Sequence, residues 1–127
     1  MVRVLVDTSV WVDYFRCDGE VSLLDALIDD NLVCTNDLIL SELVPYLRLK
    51  RQRAVICLLE AVERLHLGID WQEIIDMQVA CLRSGANGIG IPDLIIAQNA
   101  TANGCVVYSL DKHFRLMSRA LKLKLFT

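Results

Sequence analysis

Apolar residues along the chain fall into short continuous runs that alternate with longer stretches in which an apolar position recurs every third or fourth residue. Val2 to Val6 (VRVLV) is a β-branched-rich run that stops at Asp7, and Thr8 and Ser9 then offer a cap for the helical VWVDYFR, so the predicted order is strand, acid, helix. A second helix is predicted over Val21 to Leu27, and a buried strand over Leu32 to Thr35 before the capping residues Asn36 and Asp37. From about Asp37 to Leu49 an apolar stripe marks a helix in which Pro45 predicts a kink or local break. The basic run Leu49 to Arg53 reads as a turn, Ala54 to Leu65 as a helix and Leu65 to Ile69 as a short strand. Asp70 and Glu73 resemble a capping box for a helix ending near Gly85.

SGANGIGI follows, with glycines and an asparagine that predict a loop, and Pro92 suits the first turn of the helix DLIIAQNATA, which stops at Asn103 and Gly104. Cys105 to Ser109 predicts another buried strand, running into Asp111, with a helix around Lys112 to Arg119. The closing LKLKLF alternates like a half-exposed edge strand guarded by lysines. Strands alternating with helices imply an α/β fold, a three-layer α/β/α sandwich around a mainly parallel sheet.

The length of 127 residues predicts one domain, and the 54% hydrophobic content predicts a well-buried core. Charged residues interrupt every apolar stretch, so no membrane span is expected, and the N-terminus lacks a signal-peptide pattern; a cytoplasmic protein is expected. Cys17, Cys34, Cys57, Cys81 and Cys105 are scattered without a CxxC pair and read as reduced core residues, while His66 and His113 are too far apart for a local zinc motif and read as structural or surface residues. A net charge of -3 argues against non-specific coating of nucleic acid, so any polyanion contact must be local.

Chemistry concentrates in four acids. Asp7 and Asp111 each follow an apolar strand run, and a parallel sheet brings such strand ends to one edge, where α/β folds bind their ligands. Asp93 starts a helix after the glycine loop, and Glu42 follows a strand by about two helical turns, placing both near that edge. Glu42 and Asp93 are embedded in LILSELV and GIPDLII, where a solvated charge is not expected. No basic residue is matched to them in sequence, and two carboxylates about 4 Å apart repel by about 4 kcal/mol at an effective dielectric near 20. A hard divalent cation, Mg2+ or Mn2+, removes that cost and equips the site for phosphodiester hydrolysis by activated water.

VLVDTSVWVDYFR, LILSELVPYL, GIPDLIIAQNA and VVYSLDKHF resemble, in order and across essentially the whole chain, the four acidic motifs of VapC-type PIN-domain toxins. The resemblance implies an endoribonuclease using Mg2+ or Mn2+, a homodimer neutralised by a cognate antitoxin protein, with Asp7, Glu42, Asp93 and Asp111 as the metal-site and catalytic acids. Ser109 stands where that family often has threonine, which keeps the hydroxyl, and Asp13 lies outside the acidic set as a solvated or structural charge. Arg16, Lys50, Arg51, Arg53, Lys112 and Arg115 are the candidates for RNA phosphates. The exposed apolar side of the early helices is a candidate dock for an antitoxin segment. A phosphoaspartyl hydrolase of the haloacid-dehalogenase type would need a second aspartate where Ser9 stands, and flap nucleases need more chain. The alternative kept open is a degenerate PIN scaffold that binds RNA or protein without cleaving.

Overall fold

Three apolar residues, Val4–Val6, form the central strand β1, and their alternation sets the layers of the molecule. Val4 and Val6 pack on one face with Val10, Trp11, Leu43, Leu47 and Leu59, whereas Leu5 packs on the other with Val107, Leu94, Ile96 and Phe114. The computed structural model describes residues 2–16 and 22–126, so Cys17 and Val21 lie outside the described residues. The remaining elements are α1 (Thr8–Arg16), α2 (Ser22–Asp29), β2 (Val33–Thr35), α3 (Asp37–Leu49), α4 (Arg53–Ala61), β3 (Glu63–Arg64), α5 (Trp71–Arg83), α6 (Ile91–Ala102), β4 (Val106–Tyr108) and α7 (Lys112–Ala120). The sheet order is β3-β2-β1-β4, and every pairing is parallel. Helices α1, α2, α4 and most of α3 cover one face and α5, α6 and α7 the other, which is the three-layer sandwich expected.

Local expectations fail where tertiary packing outweighs sequence pattern. α3 has the expected span, Asp37–Leu49, and runs through Pro45 without a local break. The strand expected at Leu65 to Ile69 forms earlier and shorter, at Glu63–Arg64, and α4 stops at Ala61 to make room for it. LKLKLF makes one parallel bridge, Val107 with Leu125, instead of an edge strand. Thr8 and Ser9 lie inside α1, so Asp7 takes the cap position, its carbonyl accepting from the Val10 amide at 3.1 Å. Among the described cysteines Cys34, Cys81 and Cys105 are buried, but Cys57 is exposed on α4. Among the described residues no helix is long and apolar enough to cross a membrane.

One buried polar chain locks the two layers together. Asn36 caps α3 by accepting from the Ile39 amide at 2.9 Å, and its Nδ2 donates to Asn99 Oδ1 on α6 at 2.9 Å. Asn99 in turn donates to the His66 carbonyl at 2.9 Å, so α3, α6 and the segment after β3 share one hydrogen-bonded link. Asn36→Ala removes a cap worth about 1 kcal/mol and leaves buried Asn99 Oδ1 short of a donor, a further cost of about 1 to 3 kcal/mol. Urea unfolding is expected to show a lower midpoint with an unchanged slope.

Candidate metal centre

Parallel strands that end level with one another deliver whatever follows them to one place. Val6 pairs with Tyr108, so Asp7 and Ser109 leave the sheet side by side, and the Asp7 amide donates to the Tyr108 carbonyl at 2.9 Å. Asp7 is 6% exposed. Its Oδ2 accepts from Ser9 Oγ and from Ser109 Oγ, each at 2.8 Å, and from the Ser9 amide at 3.4 Å. Each hydroxyl has one proton and spends it on Asp7, so the 3.2 Å approach of the two serine oxygens follows from their sharing that acceptor. Both oxygens also accept: Leu110 N donates to Ser9 Oγ and Asp111 N to Ser109 Oγ, each at 3.0 Å. The chain leading to Asp111 is thus pinned to the two serines that hold Asp7.

Asp111 caps α7, accepting from the His113 amide at 2.9 Å, and this turn points the imidazole back at the acids. His113 Nδ1 lies 3.4 Å from Asp111 Oδ1 and 3.6 Å from Asp93 Oδ2. Asp93 is the third residue of α6, behind the Gly90 cap. Burial pushes its carboxyl above the usual range, and repulsion from Asp111 and then Asp7 adds to this, against a smaller lowering by His113 and the Gly90 backbone. Glu42, expected among apolar neighbours, is exposed: Ile39 and Leu43 take the core side of α3 and Glu42 turns away from it. Its carboxyl is nonetheless raised, first by partial loss of water and then by Asp7 and Asp93. Asp93 thus feels the charge of Asp111 and Asp7, and Glu42 that of Asp7 and Asp93.

A comparison with family models matches the PIN domain over residues 4–120. The chain belongs to the PIN-domain family. Its members are generally nucleases that use divalent metals. No curated protein sequence matches the chain. Among solved structures, this PIN domain is similar to DNA-bound VapBC from Salmonella typhimurium, with TM-score 0.76, 20% identity and coverage of 99% of this chain and 98% of that one. VapBC2 from Rickettsia felis bound to a promoter DNA fragment gives 0.76, 19%, 99% and 98%. FitAcB from Neisseria gonorrhoeae gives 0.64, 18%, 98% and 96%.

The donor set of the PIN domain suits a small divalent cation. One atom each from Asp93, Asp111 and His113 lies within 4.8 Å of the others, and two of these three are hard carboxylate oxygens. The imidazole is the departure from an all-oxygen site, and nitrogen favours Mn2+ over Mg2+. Thr8 Oγ1, next to Asp7, is a buried oxygen with no hydrogen-bond partner among the described residues. His113, read in the sequence as structural or surface, stands beside Asp93 and Asp111; the signal in the sequence is its place two residues after a strand-end acid able to cap a helix.

The cation candidates divide by position. Lys112 and Arg115 are exposed on α7, the helix that Asp111 caps. Lys50, Arg51 and Arg53 stand at the far end of α3 from its cap, about 10 Å or more beyond Glu42 at 1.5 Å per helical residue. There Arg51 and Arg53 line a cavity of about 660 Å³ with Arg48 and Ile56. Arg16 is exposed at the end of α1.

Repulsion at this edge gives a stability prediction with a definite sign. A carboxyl whose folded value is raised destabilises the metal-free fold as pH rises through that value, and costs nothing below the ordinary aspartate value of 3.8. Asp93→Asn is therefore expected to raise the melting temperature of the metal-free protein at neutral pH, with the gain shrinking to nothing in acid. A lower melting temperature at neutral pH would contradict a repulsive cluster.

Proposed function

We propose that this PIN domain is a metal-dependent endoribonuclease, the toxin of a type II toxin-antitoxin pair, in which Asp7, Glu42, Asp93 and Asp111 hold Mg2+ or Mn2+ for hydrolysis of RNA phosphodiester bonds. The observation that carries this is the gathering of Asp93, Asp111 and His113 at the strand-end edge, with Asp93 and Glu42 each raised first by burial and then by the charge of Asp7 and other acids. A cation bound there supplies positive charge to the phosphate and acidifies water. The protein's own part is positioning. Asp7, held through Oδ2 by two serine hydroxyls, keeps Oδ1 for a ligand; Asp93 and Asp111 flank it with His113 between them. Glu42, exposed and outside the tightest group, adds its charge to the site from α3.

The VapBC complexes that this chain matches along nearly its full length support an antitoxin partner. We assign the protein to the cytoplasm as a homodimer, as the resemblance of its acidic motifs to those of VapC-type toxins implies. For RNA, Lys112 and Arg115 are the favoured phosphate contacts, because they share a helix with Asp111 while the Lys50 to Arg53 group lies a helix length away.

Purified protein is expected to cleave RNA with Mn2+ or Mg2+ and to stop with chelator. Asp7→Asn and Asp93→Asn are expected to lose about 100-fold or more, since several kcal/mol of charge stabilisation go with the cation. Cleavage that survives both substitutions and the chelator would overturn the site, and RNA binding without cleavage would identify a degenerate scaffold. Lys112→Ala and Arg115→Ala are each expected to weaken RNA binding and to reduce the slope of log affinity against log salt by about 0.7 for a single strand. Lys50→Ala is expected to change it less.

A further inference from the structure

His113 stands in the first turn of α7 with its imidazole between acids from two different elements. Nδ1 lies 3.4 Å from Asp111 Oδ1 and 3.6 Å from Asp93 Oδ2, beyond the roughly 2.7 to 2.9 Å of a charge-assisted hydrogen bond to either. The nitrogen faces both carboxylates and is committed to neither. Two donors about 2.1 Å from one small cation stand about 3.0 Å apart at right angles and about 3.4 Å apart at the tetrahedral angle. The separations at His113 are close to those that a single ion spans. Asp93, Asp111 and His113 supply the three atoms that lie within 4.8 Å of one another, and Asp7 and Glu42 stand outside that group. The ring is also held in place. Its backbone amide donates to Asp111 Oδ1 at 2.9 Å, and Phe114 beside it, 1% exposed, anchors the turn in the core. On the other edge of the ring, Nε2 lies 3.9 Å from where a Cβ on Gly88 would stand, and the φ of +82° at Gly88 turns the loop that leads to Asp93.

We propose that His113 is a metal ligand of this PIN domain through Nδ1, completing with Asp93 and Asp111 a mixed nitrogen and oxygen seat that prefers a first-row transition ion such as Mn2+ to Mg2+. The inference rests on the divalent cation proposed above and adds to it a ligand that is none of the four acids. Mg2+ takes oxygen donors and gives up its waters reluctantly, so an imidazole adds little to its binding. Transition ions accept nitrogen readily, and Mn2+ accepts carboxylate oxygen as well. The rival role for the ring is that of a positive counter-charge to the two acids, and the two roles have opposite signs. Removing a ligand weakens cation binding, whereas removing a positive charge strengthens it.

The test is pulsed electron paramagnetic resonance of the full chain loaded with Mn2+, without RNA, after labelling of histidine alone with the nitrogen isotope of mass about 15. The chain has 2 histidines, so two variants complete the assignment. A hyperfine coupling between the labelled nitrogen and Mn2+ is expected in the native chain and in His66→Gln, and is expected to vanish in His113→Gln. By calorimetric titration His113→Gln is expected to weaken Mn2+ binding by about 10-fold or more, at least what loss of a supporting partner costs at a metal centre, and to weaken Mg2+ binding by clearly less. Bound Mn2+ without nitrogen coupling in the native chain would overturn the ligand and leave the site of four acids standing. A coupling lost in His66→Gln instead would overturn it as well, and tighter binding of both ions by His113→Gln would give the ring the counter-charge role. A native chain that binds no Mn2+ would overturn this inference together with the metal centre. The native coupling needs no substitution, so poor folding of a variant does not decide the outcome.

Discussion

The register between β1 and β4 is the constraint on which the rest depends. Val4, Leu5 and Val6 pair with Val106, Val107 and Tyr108, and these short strands are fixed by burial on both faces of the sheet. A slip of one residue would turn Leu5 toward the layer that holds Trp11 and Val4 toward the layer that holds Phe114, so packing admits one alignment. That alignment puts Ser109 against Asp7, and the bond between them at 2.8 Å then fixes where the chain delivers Asp111. Core packing thereby decides the spacing of charges that belong to residues more than 100 positions apart.

Hydrogen bonds complete what the sheet begins. The two serines hold one oxygen of Asp7, and the Asn36–Asn99 bond ties the start of α3 to the middle of α6. Glu42 and Asp93 ride on those two helices, so the backbone positions from which they reach the site are set by a buried link, although the Glu42 side chain itself is exposed. The acids are assembled by folding, which means their mutual repulsion is carried by the native state at all times.

The sequence announced what depends on local chemistry. Strand, acid and helix followed one another at Asp7 as expected, Asn36 and Asp70 cap the helices they precede, and the glycine loop leads to Asp93 through positive φ angles at Gly85 and Gly88. What stayed hidden depends on partners distant in the chain. Asn99 looked like an ordinary helix residue until it met Asn36. His113 looked isolated because Asp93, which it approaches, lies 20 positions earlier. The span of α3 was legible despite Pro45, because Ile39, Leu43 and Leu47 hold it in the core and packing of that face outweighs one missing donor.

A final consequence concerns the helix starts. The N-termini of α1, α3, α6 and α7 follow Asp7, Asn36, Gly90 and Asp111, so the ends of four helices crowd the same edge as the acids. Each brings a macrodipole equivalent to roughly half a positive charge, felt mainly within its first turn. Wherever a parallel sheet gathers carboxylates at its strand ends, the crossover helices thus supply some opposite polarity from the backbone alone. Asp7, Asp93 and Asp111 sit within that reach, whereas Glu42, beyond the first turn of α3, must do without it.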